Sequence, residues 1–298
     1  MKILNALTRV ILPILIISLP FGAAALLTDL VILKLLTLII AIGAGFIYLK
    51  KLHHLDFDPT DKYQKAIFCL VAAGIMLFSF FLCAVSIEDE WVFDYPLTKP
   101  VDSYGCYPQT FDAFQKGQLN IDTDYDLSVL EKLENPYNTA ERRAATGEKF
   151  GVLWDRAYYE GKIYSYFGVA PIFLVYYPFY YLTGHIPSDA LAAAIIVAAT
   201  VGFMFSILWE LCKRLPKGVP FLLMLLGGAT LPCGALLWST LTCANFYHLA
   251  VLFGILAVCA FFCFVLKAEG TPDGFKRRIY FALSGASVAV IVASRPNL

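Results

Sequence analysis

Residues 189–210 read DALAAAIIVAATVGFMFSILWE, and between Asp189 and Glu210 stand twenty consecutive residues without a charge. Roughly twenty apolar residues are what a helix needs to cross the ~30 Å hydrocarbon layer of a bilayer. The stretch therefore reads as a transmembrane helix, and the rest of the chain is read outward from it. Comparable runs lie at about 10–27, 31–49, 66–87, 220–240, 246–266 and 279–294, with a proline-interrupted run at 166–183. The composition agrees: 59% of the residues are hydrophobic, 15% are charged, and the mean hydropathy is +0.68. These values exclude an ordinary soluble domain. The expected fold is all-α, a polytopic transmembrane helix bundle of seven to eight apolar segments forming one integral membrane domain over 1–298. The formal net charge is zero, so no basic surplus points to nucleic acid, and the lipid bilayer is the first partner implied.

Between the third run and the proline-interrupted one lies the polar stretch 88–165, the only segment large enough to fold outside the bilayer. At the N-terminus, Lys2 and Arg9 ahead of a short apolar core, with Ala23, Ala24 and Ala25 after it, fit a secretory signal. A second apolar run starts directly after Thr28 and Asp29 and leaves no soluble domain to release. That favours a helical hairpin, kinked at Pro13 and Pro20.

Lys and Arg in short loops orient the bundle. Lys50, Lys51, Lys62 and Lys65 flank the second and third runs, Lys213, Arg214 and Lys217 follow 189–210, and Lys267, Lys276, Arg277 and Arg278 precede the last. All three clusters are expected in the cytoplasm of a multi-pass cell-membrane protein, with the 88–165 loop extracytoplasmic. A full crossing by 166–183 would put the Lys213 cluster outside. A re-entrant or interfacial segment resolves the conflict, and Pro171 and Pro178 would interrupt its hydrogen bonding. Of the eight cysteines, seven (Cys69, Cys83, Cys212, Cys233, Cys243, Cys259 and Cys263) lie in or beside apolar runs, where they act as small hydrophobes. Cys106 has no partner in the loop, so no disulfide framework is expected there.

Two parts of the loop carry candidate chemistry: VDSYGCYPQTFDAFQKGQLNID at 101–122 and LWDRAYYEGKIYSYFGVAP at 153–171. Here the chain resembles the GT-C glycosyltransferases, in the branch of the protein O-mannosyltransferases and the lipid A aminoarabinose transferases. Asp102 matches the position of the family's catalytic acid. Gly117–Leu119 matches a Lys/Arg-Gly-x-Leu turn, and Gly161, Lys162, Tyr164 and Pro171 match its return to the membrane. Pro187, Ser188 and the short basic loop extend the likeness over most of residues 65–250. The resemblance implies inverting transfer of a sugar from a polyprenyl-phosphate carrier to an extracytoplasmic acceptor.

Such a reaction needs a carboxylate to take the acceptor's proton, the role expected of Asp102, with Glu88, Asp89, Glu90 and Asp94 as rivals. It also needs a cation for the lipid phosphate that leaves, the role expected of Lys162 or Arg156. Tyr158, Tyr159, Tyr164, Tyr166 and Phe167 suit the headgroup level, where an apolar body and a polar tip are both satisfied. The ordinary reading of these residues is a solvated acid, a snorkelling anchor and an aromatic belt.

Asp122, Asp124 and Asp126 alternate as in a calcium loop, but Leu127 stands where an EF-hand requires Gly and Leu133 where it requires Glu. His53 and His54 lack metal-ligand spacing. TCANFYH at 242–248 contains no acid, where many GT-C enzymes have one. Asn245 and His248 become candidates for an acceptor-side ceiling, and the expected mechanism needs no metal or other cofactor, with a divalent metal as the alternative. The final residues ASRPNL follow a span directly, where the family continues through further helices. On the resemblance, Arg295 would open the next outer loop beside the lipid phosphate. A transporter or flippase and a non-catalytic membrane scaffold are the rival functions. A transporter would need ionisable residues near mid-span, and Lys34 stands almost alone.

Overall fold

The computed structural model describes residues 56–85, 97–147, 155–215, 220–235, 237–242 and 244–294. The runs at 10–27 and 31–49, the acids Glu88, Asp89, Glu90 and Asp94, the pair His53 and His54, and Arg295 lie outside the described residues.

The protein is mostly helical. Four helices are long and apolar enough to cross a membrane: α1 (Lys62–Val85), whose qualifying stretch is Lys62–Phe80, α6 (Asp189–Cys212), α9 (Phe246–Glu269) and α10 (Phe275–Ser294). The run expected as one span at 220–240 is instead two helices, α7 (Phe221–Gly234) and α8 (Leu237–Thr242). Pro232 sits inside α7, where it supplies no N–H and crowds the preceding turn. The seven to eight apolar segments read from the sequence thus correspond, among the described residues, to four candidate spans and shorter apolar helices.

α6 is the hub of the bundle. Its Ala192, Ala193, Ala194 and Val197 are fully buried, and small side chains let neighbouring helix backbones approach closely where lipid provides no hydrophobic drive. Phe68 of α1 meets Phe205 and Trp209 of α6 at ring distances of 4.9 and 5.2 Å. A Cβ on Gly202 would come within 2.6 Å of Met76, so α1 and α6 run antiparallel in contact.

Helix ends fall into two sets. At one end, Asp56 bridges to Pro220, Lys213 pairs with Glu210 at 2.7 Å, and Arg214 donates to the carbonyl of Leu266. We call this the basic end. At the opposite end, β1 (Thr98–Lys99) pairs antiparallel with β4 (Ile186–Pro187), and Phe167 packs edge-on against Phe246 at 5.3 Å. Gly168 lies against the backbone of Ala293 and Ser294 there.

Residues 170–187 begin and finish at this second end. A π-helical turn, Ile172–Tyr176, runs into α5 (Tyr177–Thr183), which stops at Gly184 in the left-handed conformation, φ 74°. Pro178 excludes the regular i−4 bond, and the wider π turn just before it accommodates the missing donor. No residue of α5 is buried.

The loop packs onto the same end. α2 (Cys106–Gln115) buries Tyr107 and Phe111, the latter against Tyr177 at 4.8 Å and Tyr180 at 5.3 Å. Two short helices follow, α3 (Ser128–Glu131) and α4 (Thr139–Thr146). The hairpin of β2 (Arg156–Tyr159) and β3 (Lys162–Ser165) then closes a small core of Leu130, Tyr158 and Ile163.

Local chemistry explains two of the short motifs. α2 ends in a Schellman arrangement, with Gly117 at φ 74°, Gln118 N–H on the carbonyl of Ala113 and Gly117 N–H on that of Phe114. Glu160 and Gly161, at φ 47° and 72°, form the two-residue hairpin turn whose twist matches the strands. Each glycine is thus required by its turn, whatever the site does.

Candidate functional site

A polar cleft of about 230 Å³ opens beside α2, lined by Asp102, Gln109, Asp112, Ile121, Asp122 and Asp124 among others. Asp102 enters it from the turn after β1, in which Ser103 N–H bonds the carbonyl of Pro100. The four carboxylates are not equivalent. Lys116 Nζ holds Asp112 at 2.7 Å and Asp122 at 2.8 Å, and Gln118 donates to Asp122 at 2.6 Å. These contacts hold the Asp122 carboxyl below the usual carboxylate range and keep the Lys116 ammonium protonated well above its own. Asp102 and Asp124 have no hydrogen bond or ion pair among the described residues and face the cleft as unengaged acceptors.

Of the two cations expected at a lipid phosphate, Arg156 is buried and Lys162 is exposed. The Arg156 guanidinium donates to Gln109 Oε1 and to Cys106 Sγ, each at 2.6 Å. Arg156 therefore ties the hairpin to α2 and, through Gln109, to the cleft of Asp102. Cys106 is free and buried, its thiol pushed up to about 11 by burial, which outweighs the opposing pull of Arg156. Lys162 sits at the hairpin tip opposite Tyr159, itself exposed. The carbonyl of the next residue, Ile163, accepts the backbone N–H of Ile121 at 2.8 Å, so Lys162 neighbours a residue hydrogen-bonded to the cleft wall. Tyr164 pairs across the hairpin with Ala157 and is half-buried.

Asn245 has a structural task. Its side-chain oxygen accepts the N–H groups of Tyr247 and His248 at 3.0 and 3.2 Å and caps α9. His248 Nδ1 is buried and has no hydrogen-bond partner among the described residues. Asn245 and His248 thus stand at the loop end beside Phe167, the side expected of a ceiling, with Asn245 turned to its own helix.

One residue of the site escaped the sequence reading. Asp155, at φ 57° just before β2, accepts the Tyr166 hydroxyl on Oδ1 at 2.8 Å and the Tyr247 hydroxyl on Oδ2. In both bonds the phenol hydroxyl is the donor and the carboxylate the acceptor. The rings of Tyr166, Phe167, Phe246 and Tyr247 pack in sequence around this carboxylate, at centroid distances of 4.6, 5.3 and 4.2 Å. The only local signal was an acid directly ahead of an alternating strand, since acids tolerate the left-handed region.

Comparison with known protein families, with curated proteins and with solved structures found no match to this chain. Among the described residues, no group of three or more His, Cys, Asp or Glu side chains is arranged to hold a metal ion. Asp126 instead accepts the N–H of Ser128 at 3.0 Å and starts α3.

Proposed function

We propose that the protein transfers a sugar from a polyprenyl-phosphate carrier to an extracytoplasmic acceptor at the loop end of the bundle. The observation that carries this reading is the unengaged carboxylate of Asp102 in a polar cleft, joined through Gln109 and Arg156 to a hairpin beside the apolar helices. In the reaction, the acceptor hydroxyl attacks the anomeric carbon and its proton passes to Asp102. The bond from that carbon to the phosphate oxygen breaks, and polyprenyl phosphate leaves with the electron pair. Lys162 meets the growing negative charge of that leaving group. The stretch 166–183 lies in the same leaflet as the phosphate, as a re-entrant or interfacial segment whose tyrosines sit at headgroup level.

A transporter is less well supported. Ser79, Thr200 and Ser287, buried within the candidate spans, each bond a carbonyl of their own helix and offer no ion path.

On this reading Lys162→Ala raises the donor concentration needed for half-maximal transfer on the order of tenfold, because a charge-assisted contact to the leaving group is lost. Lys162→Arg retains part of it. Donor saturation of purified, quantified protein checks this, and unchanged donor dependence returns Lys162 to the role of surface anchor.

Sidedness has a separate test. A cysteine at Lys213 is expected to react with an impermeant maleimide only from the cytoplasmic face, and one at Gln118 only from the opposite face. Labelling of both positions from one side would show that the two ends of the bundle do not face opposite compartments.

A further inference from the structure

Asp155 and Arg156 are consecutive, yet they tie the hairpin in two directions. Arg156 reaches α2, whereas the Asp155 carboxylate reaches Tyr247 in the first turn of α9, 92 residues away in sequence. Both Asp155 oxygens accept a phenol hydrogen bond, and Phe167 lies between the two phenol-bearing segments, 4.6 Å from Tyr166 and 5.6 Å from Tyr247. Asp155 adopts φ 57°, a backbone conformation that Asp tolerates, and from there its side chain meets both phenols. Whereas Asp102 stands in an open cleft, both oxygens of this carboxylate are occupied by phenols. Its work is mechanical: it sets the place of the hairpin, and so of Lys162, against the end of the bundle.

We propose that Asp155 is a positioning residue, clasping the hairpin that carries Lys162 to α9 through Tyr247 and Tyr166. The role in donor binding rests on the function proposed above, while the clasp itself does not.

The test uses full-length protein in lipid nanodiscs, with Asp155→Asn and Tyr247→Phe as variants. Asn has the shape of Asp and accepts the left-handed backbone, so Asp155→Asn removes charge and one acceptor without imposing strain. Amide exchange across Arg156–Ser165 is expected to quicken on the order of tenfold in both variants, with α6 unchanged, since each loses a charge-assisted hydrogen bond. The concentration of a photoreactive polyprenyl phosphate that half-saturates labelling is expected to rise severalfold in both. Hairpin exchange equal to wild type in both variants overturns the clasp. Faster exchange with unaltered saturation overturns the positioning role and leaves a purely architectural contact. A wild-type protein that shows no saturable labelling overturns the functional reading, and the exchange comparison still decides the clasp.

Discussion

Asp102→Asn is expected to lower sugar transfer at least about a hundredfold while the protein remains folded, because general-base catalysis contributes roughly 10²–10⁴ in rate. The substitution keeps the shape of the side chain and removes the charge that, on the proposed function, takes the proton. Nothing among the described residues depends on that charge, since no ion pair or hydrogen bond holds Asp102. Thermal stability should therefore stay close to wild type, within the range usual for surface changes. Asp112→Asn is the matched control. It removes one of two carboxylates bound to Lys116, a solvated cluster whose loss should alter transfer far less. Rates measured on purified protein separate the two, and full activity in Asp102→Asn would move the base elsewhere, with Asp124 the next unengaged acid of the cleft.

Gly168→Ala should be the most damaging of the single-atom additions in the described chain. A Cβ there would stand 2.1 Å from the carbonyl oxygen of Ala293 and 2.4 Å from the carbonyl carbon and oxygen of Ser294. Backbone atoms cannot swing aside as a side chain can, so the end of α10 must move away from the start of the π-helical segment. Overpacking of this kind costs about 1–3 kcal/mol, or more where neighbours are rigid. The expected result is a clear drop in folded yield and in melting temperature. Gly285→Ala supplies the control, because that helical position has nothing within 4 Å of the added carbon. It should be neutral or gain up to about 1 kcal/mol from helix propensity. Equal melting temperatures for Gly168→Ala and wild type would mean that the two segments are not in contact.

The bundle was legible in the sequence because twenty uncharged residues in a row admit few other readings, as at 190–209. The break in the 220–240 run was less so. Pro232 was visible, but only packing decides whether a membrane proline bends a helix or divides it. The expected return of 166–183 to its starting side drew on charge bookkeeping in distant loops. The two-residue pairing of Thr98–Lys99 with Ile186–Pro187, which holds its far end, is too short to leave a pattern. Among the candidate site residues, Asp102 and Lys162 could be named because of the strings in which they stand. The glycines of those same strings turn out to serve a Schellman cap and a hairpin turn, so the strings carry structural information as well as whatever chemistry they hold. Arg156 was expected, as an alternative to Lys162, to meet the lipid phosphate. Burial against Gln109 and Cys106, 47 and 50 residues away, could not be read locally. Asp155 was hidden for the same reason, since its meaning lies in Tyr247.

The most direct test of the central claim is photolabelling of the purified protein in nanodiscs by a photoreactive polyprenyl phosphate, competed with unlabelled polyprenyl phosphate or polyprenol. The account predicts saturable labelling within residues 155–183, displaced by the phosphate but not by the alcohol, and weakened on the order of tenfold in Lys162→Ala. Labelling that polyprenol displaces equally well, or that falls only on the outward faces of α1 and α10, would contradict it.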